Sequence, residues 1–265
     1  MPARLDTALR LGLSSLAVLS LTACGLTGGQ AAEKKEETGP FAGLSGPQIL
    51  NKSIKATKTA ESLRFNLTTT SATDGTTKAY MAVDTEGRCS GTLSIGTGTM
   101  EMIKTGGVAY LRFDEAFLRE ENKDGSPEET EQILKELKGR WMKTDASDPE
   151  TEDSLELCEL GSLLADLETG VNLAGKGEET TVNGKKALKL IESDGEETTT
   201  TYVATEGEPY LLKIVVKGGD EPGTITFTDY NKPVTAEAPA AKDILDLDET
   251  ASEPANETES EPESA

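Results

Sequence analysis

Apolar residues recur along this chain with several spacings, and each spacing predicts a different element. Leu11 to Leu21 is a mostly apolar run behind Arg4 and Arg10, too short to cross a bilayer as a stable helix and built as a secretory leader is. After Ser45-Gly46-Pro47, the residues Ile49, Leu50, Ile54, Thr57 and Ala60 lie on one helical face, which predicts an amphipathic helix to about Glu61. From Leu63 the period falls to two, with strands around Leu63-Phe65-Leu67, Tyr80 to Val83, Leu93-Ile95, Met100-Met102 and Val108-Tyr110. Glycine-bearing breaks such as Gly96-Thr97-Gly98 and Gly106-Gly107 are short enough to force antiparallel neighbours.

Helical spacing returns over Asp114 to Glu121 and from Pro127 to near Gly139, then Trp141 sits in a short strand, Arg140 to Lys143. Leu155 to Leu167 predicts a further helix ending at Gly170. A second alternating block follows: Glu179 to Val182, Ala187 to Ile191, Thr198 to Ala204, Leu211 to Lys217 and Thr224 to Tyr230. Asn183-Gly184 and Asp194-Gly195 read as two-residue hairpin loops, whose residues favour positive φ. Two antiparallel blocks with helices between them predict an α+β fold. The organisation expected is a leader over 1–23, a tether over 24–45, one domain over 46–247 and an acidic tail without a core over 248–265.

The leader ends in Leu21-Thr22-Ala23-Cys24, which resembles the bacterial lipobox. On that reading Cys24 becomes the first mature residue and carries the acyl chains that hold the protein on the extracytoplasmic face of the cell membrane; otherwise it is an ordinary thiol near a cleavage site. The tether would span about 25 Å root-mean-square.

Composition narrows the chemistry. The chain holds 48 Asp and Glu against 26 Lys and Arg, a net charge of −22, so nucleic acid is excluded as a partner and anionic headgroups should repel the globule. There is no histidine, which removes the commonest general base, the usual triad member and a frequent metal ligand. A glycosidase pair is disfavoured because sugar sites use aromatic platforms and aromatics are 4% of the chain. Asn122-Lys123-Asp124-Gly125 lacks the later Glu of an EF-hand loop. No enzyme, metal or cofactor is expected. Cys89 and Cys158 are an even pair in an exported chain and predict a disulfide, the alternative being two buried thiols.

Three stretches carry a family resemblance: Gly87-Arg88-Cys89-Ser90-Gly91-Thr92-Leu93-Ser94, Gly139-Arg140-Trp141-Met142-Lys143 and Tyr230-Asn231-Lys232-Pro233-Val234. With the order of leader, helix, strand run, helical insert and second strand run, the chain from about Gly46 to Leu247 resembles actinobacterial lipoproteins of the LppX/LprG type, within the wider superfamily of the carrier LolA and the sensor RseB. The resemblance implies a strongly bent antiparallel β-sheet, a half-barrel covered by helices on the concave side, that binds a lipid or lipoglycan in an apolar cavity. It carries no binding residues, because those families use dispersed apolar side chains.

Alternation offers its own candidates for the lining of such a cavity: Met81, Val83, Met100, Met102, Leu188, Leu190, Ile214 and Val216. The same residues would serve equally to fill a core. Two functions stay open at this point, a lipid carrier and a sensory module whose concave face binds an envelope protein partner.

Overall fold

The computed structural model describes residues 39–246, except 74, 150, 152–154 and 170–172. The leader, Cys24, most of the tether and the tail therefore lie outside the described residues.

The first helix, α1 (Gly46–Lys58), starts where the sequence places it. Ser45 accepts from the Gln48 backbone N–H, while the Gln48 side chain accepts from Ser45 N–H, a reciprocal cap that satisfies two of the donors a helix start leaves unpaired. Its buried face is Gly46, Ile49, Leu50, Ser53, Ile54 and Thr57. A meander follows: β1 (Ser62–Ser71), β2 (Gly75–Asp84), β3 (Cys89–Ile95), β4 (Gly98–Thr105) and β5 (Val108–Phe113). The insert is α2 (Glu115–Glu121) and α3 (Pro127–Leu137), each started by a side-chain cap, and then β6 (Trp141–Asp145). After a 3-10 turn at Glu156–Cys158 comes α4 (Leu160–Thr169).

The second block is β7 (Gly175–Val182), β8 (Lys185–Asp194), β9 (Glu197–Ala204), β10 (Leu211–Lys217) and β11 (Gly223–Thr228), with β12 (Ile244–Asp246) last. All twelve strands form one unclosed curved sheet in the order β12-β6-β5-β4-β3-β2-β1-β11-β10-β9-β8-β7. The two blocks are fused by β1 pairing with β11, Phe65 opposite Phe227. Pairing is antiparallel except at the edge, where β12 runs parallel to β6.

Side-chain parity assigns the two faces. On the inner face lie Leu63 and Phe65 of β1, Met81 and Val83 of β2, Met100 and Met102 of β4, Leu188 and Leu190 of β8, and Phe227 of β11; with Ile49, Leu50 and Ile54 of α1 and Leu164 of α4 they form the main core. Gly91 sits between Met81 and Met102 in the ladder. A Cβ there would lie 2.4 Å from the Met81 Sδ, so glycine is what lets the methionine cross β3. In β10 the register shifts between Leu211 and Lys213, a bulge that turns Leu212 outward into a small second cluster with Val182, Ala187 and Ala204. Thr57 of α1 caps this irregularity by accepting from Leu211 N–H at 3.0 Å, and Tyr230 Oη donates to Leu211 O at 2.5 Å.

The structure departs from the sequence reading at four places. Phe41, inside the stretch read as tether, is 6% exposed and belongs to the core, since an aromatic ring is too costly to leave in water when a groove is at hand. The helix expected over Leu155 to Leu167 is broken at Glu159, which is extended, and this break leaves Cys158 free to face β3. The hairpin loop expected at Asp194-Gly195 is Gly195-Glu196, because Asp194 pairs with Glu197 and only the glycine of that loop has positive φ. Strand β12 is a parallel partner that no two-residue turn could announce. Asn183 and Gly184 both take positive φ, as their hairpin requires.

Candidate functional site

The inner face is graded from one end of the strands to the other. Its deepest ladder row runs Leu111, Met102, Gly91, Met81, Phe65 and Phe227 across β5, β4, β3, β2, β1 and β11, and its side chains are buried. The next row, toward the Ser71 end, is Phe113, Met100, Leu93, Ala79, Leu67, Ile225 and Ile214, crossing seven strands. Every member is apolar, and at about 4.8 Å per strand the row is about 29 Å long. Here burial is incomplete: Phe113, Leu93, Leu67 and Ile225 are half-buried. Phe117 of α2 stacks on Phe113 with ring centroids 5.0 Å apart, and Leu163 of α4 packs on the same core from above, also half-buried.

The third row, nearest the open end, is Gly98, Ile95, Thr77, Thr69, Gly223, Val216, Thr199 and Glu192. Three hydroxyls, of Thr77, Thr69 and Thr199, enter there beside the aliphatic Val216 and Ile95, the latter 38% exposed. Burial, with Asp194 and Glu197 close by, pushes the Glu192 carboxyl up from its ordinary value. Over about 13 Å along the strands the face thus passes from sealed hydrocarbon, through partly accessible hydrocarbon, to a rim that carries hydroxyls.

Of the eight lining candidates, all lie on the inner face, but Met81, Val83, Met100, Met102, Leu188, Leu190 and Ile214 are each at most 8% exposed. They belong to the sealed core that includes Ile49, Leu50 and Ile54 of α1 and Leu164 of α4. Val216 is half-buried in the outer row. The accessible apolar residues that the sequence reading did not select are Leu67, Leu93, Ile95, Phe113 and Ile225. Alternation marks them as well as it marks the others, and only the placement of α1 and α4 separates the two sets.

Cys89 and Cys158 are joined in a disulfide across 69 residues of sequence, tying β3 to the turn that begins α4. Lys104, opposite Cys89 in the ladder, donates to Glu159 at 2.5 Å beside it. A cavity of ≈ 350 Å³ opens at the Ser62 end, walled by Lys58, Ala60, Asp84, Cys158, Glu159 and Leu160, a lining that mixes charged and apolar groups. Among the described residues no group of three or more His, Cys, Asp or Glu is placed to hold a metal, and no helix is long and apolar enough to cross a membrane.

No protein-family model matches the sequence, and no curated protein matches it either. Among solved structures, the chain is similar to LprF from Mycobacterium bovis, with 16% identity, a TM-score of 0.49, and coverage of 74% of this chain and 97% of that one. It is similar to Mycobacterium tuberculosis lipoprotein LppX at 15% identity and a TM-score of 0.47, over 73% and 100% of the two chains. A LolA superfamily protein from Nitrosomonas europaea aligns at 9% identity and a TM-score of 0.24, over 72% and 95%.

Proposed function

We propose that this chain is a non-enzymatic, extracytoplasmic lipoprotein, held on the cell membrane through acylated Cys24, that binds a lipid or acylated molecule along the inner face of its sheet. The observation that carries the reading is the graded face. An apolar row about 29 Å long, half-buried at Phe113, Leu93, Leu67 and Ile225 and bordered by Thr69, Thr77 and Thr199, has the polarity profile of an amphiphile laid across the strands. In this reading the acyl chain lies over Leu67, Leu93 and Ile225 between the sheet and α4, while the headgroup meets the hydroxyl rim. A face meant only as core would have its apolar row closed, since each half-exposed side chain forgoes part of the roughly 1.5–3 kcal/mol that full burial contributes.

The test is lipid extraction and mass spectrometry of the full chain purified from its own membranes. A stoichiometric acyl lipid is expected. Preparations free of lipid but carrying a tightly bound envelope protein would reject the carrier reading and make the inner face a docking groove.

A further inference from the structure

Face assignment by ladder parity exposes a charge pattern on the outer side of the sheet. On strands β8, β9, β10, β11, β1, β2 and β3, the outer positions are Lys, Arg, Thr, Ser, Tyr, Asn and small or aliphatic residues. The one carboxylate among these described positions is Asp84, at the end of β2, with its side chain 5% exposed and held by Arg88. A chain with 48 carboxylates thus keeps the outer face of seven adjacent strands nearly clear of them: Glu192, Asp194 and Glu197 fall on the inner face, and Asp229, just past β11, pairs with Arg64. Lys189, Tyr202 and Lys213 stand directly opposite one another on β8, β9 and β10, flanked on the same face by Lys185, Lys217 and Lys78. Tyr80 at 55% and Ile191 at 40% exposure stand out of this surface.

We propose that this outer face docks on the anionic headgroups of the membrane that carries the lipid anchor. Lysine ammonium groups suit phosphate, and exposed Tyr and Ile suit the headgroup boundary, where an amphipathic ring has one end apolar and one end wet. The net charge of −22 does not oppose contact of this face, because at physiological ionic strength charges more than about 8 Å away are screened. The inference rests on the anchoring reading in one respect: a flexible stretch from Cys24 to Phe41 would keep the domain at about 20 Å root-mean-square from the bilayer. At that range the headgroups are present at millimolar effective concentration, so a weak patch suffices. A freely diffusing acidic protein would have no such advantage.

The test uses the full acylated chain reconstituted into vesicles of phosphatidylcholine alone or with one third phosphatidylglycerol, with acetylation of each lysine followed by mass spectrometry. On the anionic vesicles Lys189, Lys213 and Lys217 should react about threefold more slowly or less, Lys55 on α1 should be unchanged, and high salt should erase the difference. The double variant Lys189→Glu, Lys213→Glu should lose protection at Lys217. Equal rates on both vesicles overturn the proposal, as does protection that needs an added envelope protein. Intact mass reports acylation of Cys24 separately. If the acyl mass is absent, the Cys24 thiol is coupled to a maleimide lipid in the same two kinds of vesicle; lysine protection on the anionic vesicles alone still supports the docking face, and equal rates on both overturn it.

Discussion

The Met102 Sδ lies 3.9 Å from the Cys158 Sγ, so a methionine that alternation offers as ligand lining is packed against the disulfide. Met102 is 1% exposed, and a larger ring there has no room. Met102→Trp should destabilise by about 1–3 kcal/mol in urea unfolding. Leu93→Trp, in the half-buried row, should hold stability and lower the lipid recovered per protein. The reverse pattern, with Met102→Trp harmless and Leu93→Trp disruptive, would move the accessible surface to the deeper row.

Cys89→Ala with Cys158→Ala opens a loop of 69 residues, worth about 4 kcal/mol on a chain-entropy treatment. A fall in stability of that order is expected, together with faster proteolysis around α4. Non-reducing peptide mapping of exported wild type should recover the linked pair.

Thr57 and Ser53 are both fully buried on α1, yet only Thr57 is partnered, through Leu211 N–H; the Ser53 Oγ has no hydrogen-bond partner. Thr57→Val should therefore cost about 1–3 kcal/mol by orphaning a buried donor. Ser53→Ala should be neutral or stabilising. Equal losses in the two variants would mean that packing, not the hydrogen bond, decides the site.

Glu192, at the β8 end of the rim, gives a pH signature. A raised Glu192 carboxyl means that the folded state favours its neutral form, so its contribution improves as pH falls through the raised value and is unfavourable at neutrality. Glu192→Gln should thus raise the melting temperature at pH 7, with the gain vanishing below about pH 4, where the unfolded group is protonated too. Glu129 moves the other way. Its hydrogen bonds from Ser126, backbone first, hold it below its ordinary value, so its stabilisation is present at neutrality and is lost as pH falls through that lowered value.

Acylation is tested at Cys24 itself. Cys24→Ala should shift the chain from the membrane fraction to an unprocessed or released form; a membrane-bound chain of unchanged mature mass would remove the lipid anchor.

Local order was legible in the residues. The Ser45 and Ser126 caps, the period-two runs, the Asn183-Gly184 turn and the Cys89–Cys158 pair all depend on neighbours close in sequence or on the two cysteines left once Cys24 is set aside. What only the tertiary structure decided is how far each row is covered. Alternation places Met102 and Leu93 alike on the inner face, but whether a residue there is sealed depends on where α1 and α4 come to rest. That placement follows from non-local contacts: the β1–β11 pairing, the bulge at Leu212 capped by Thr57, and the break at Glu159 that brings Cys158 to β3. Periodicity records which side of a strand a residue occupies, and burial is a property of whatever packs on that side.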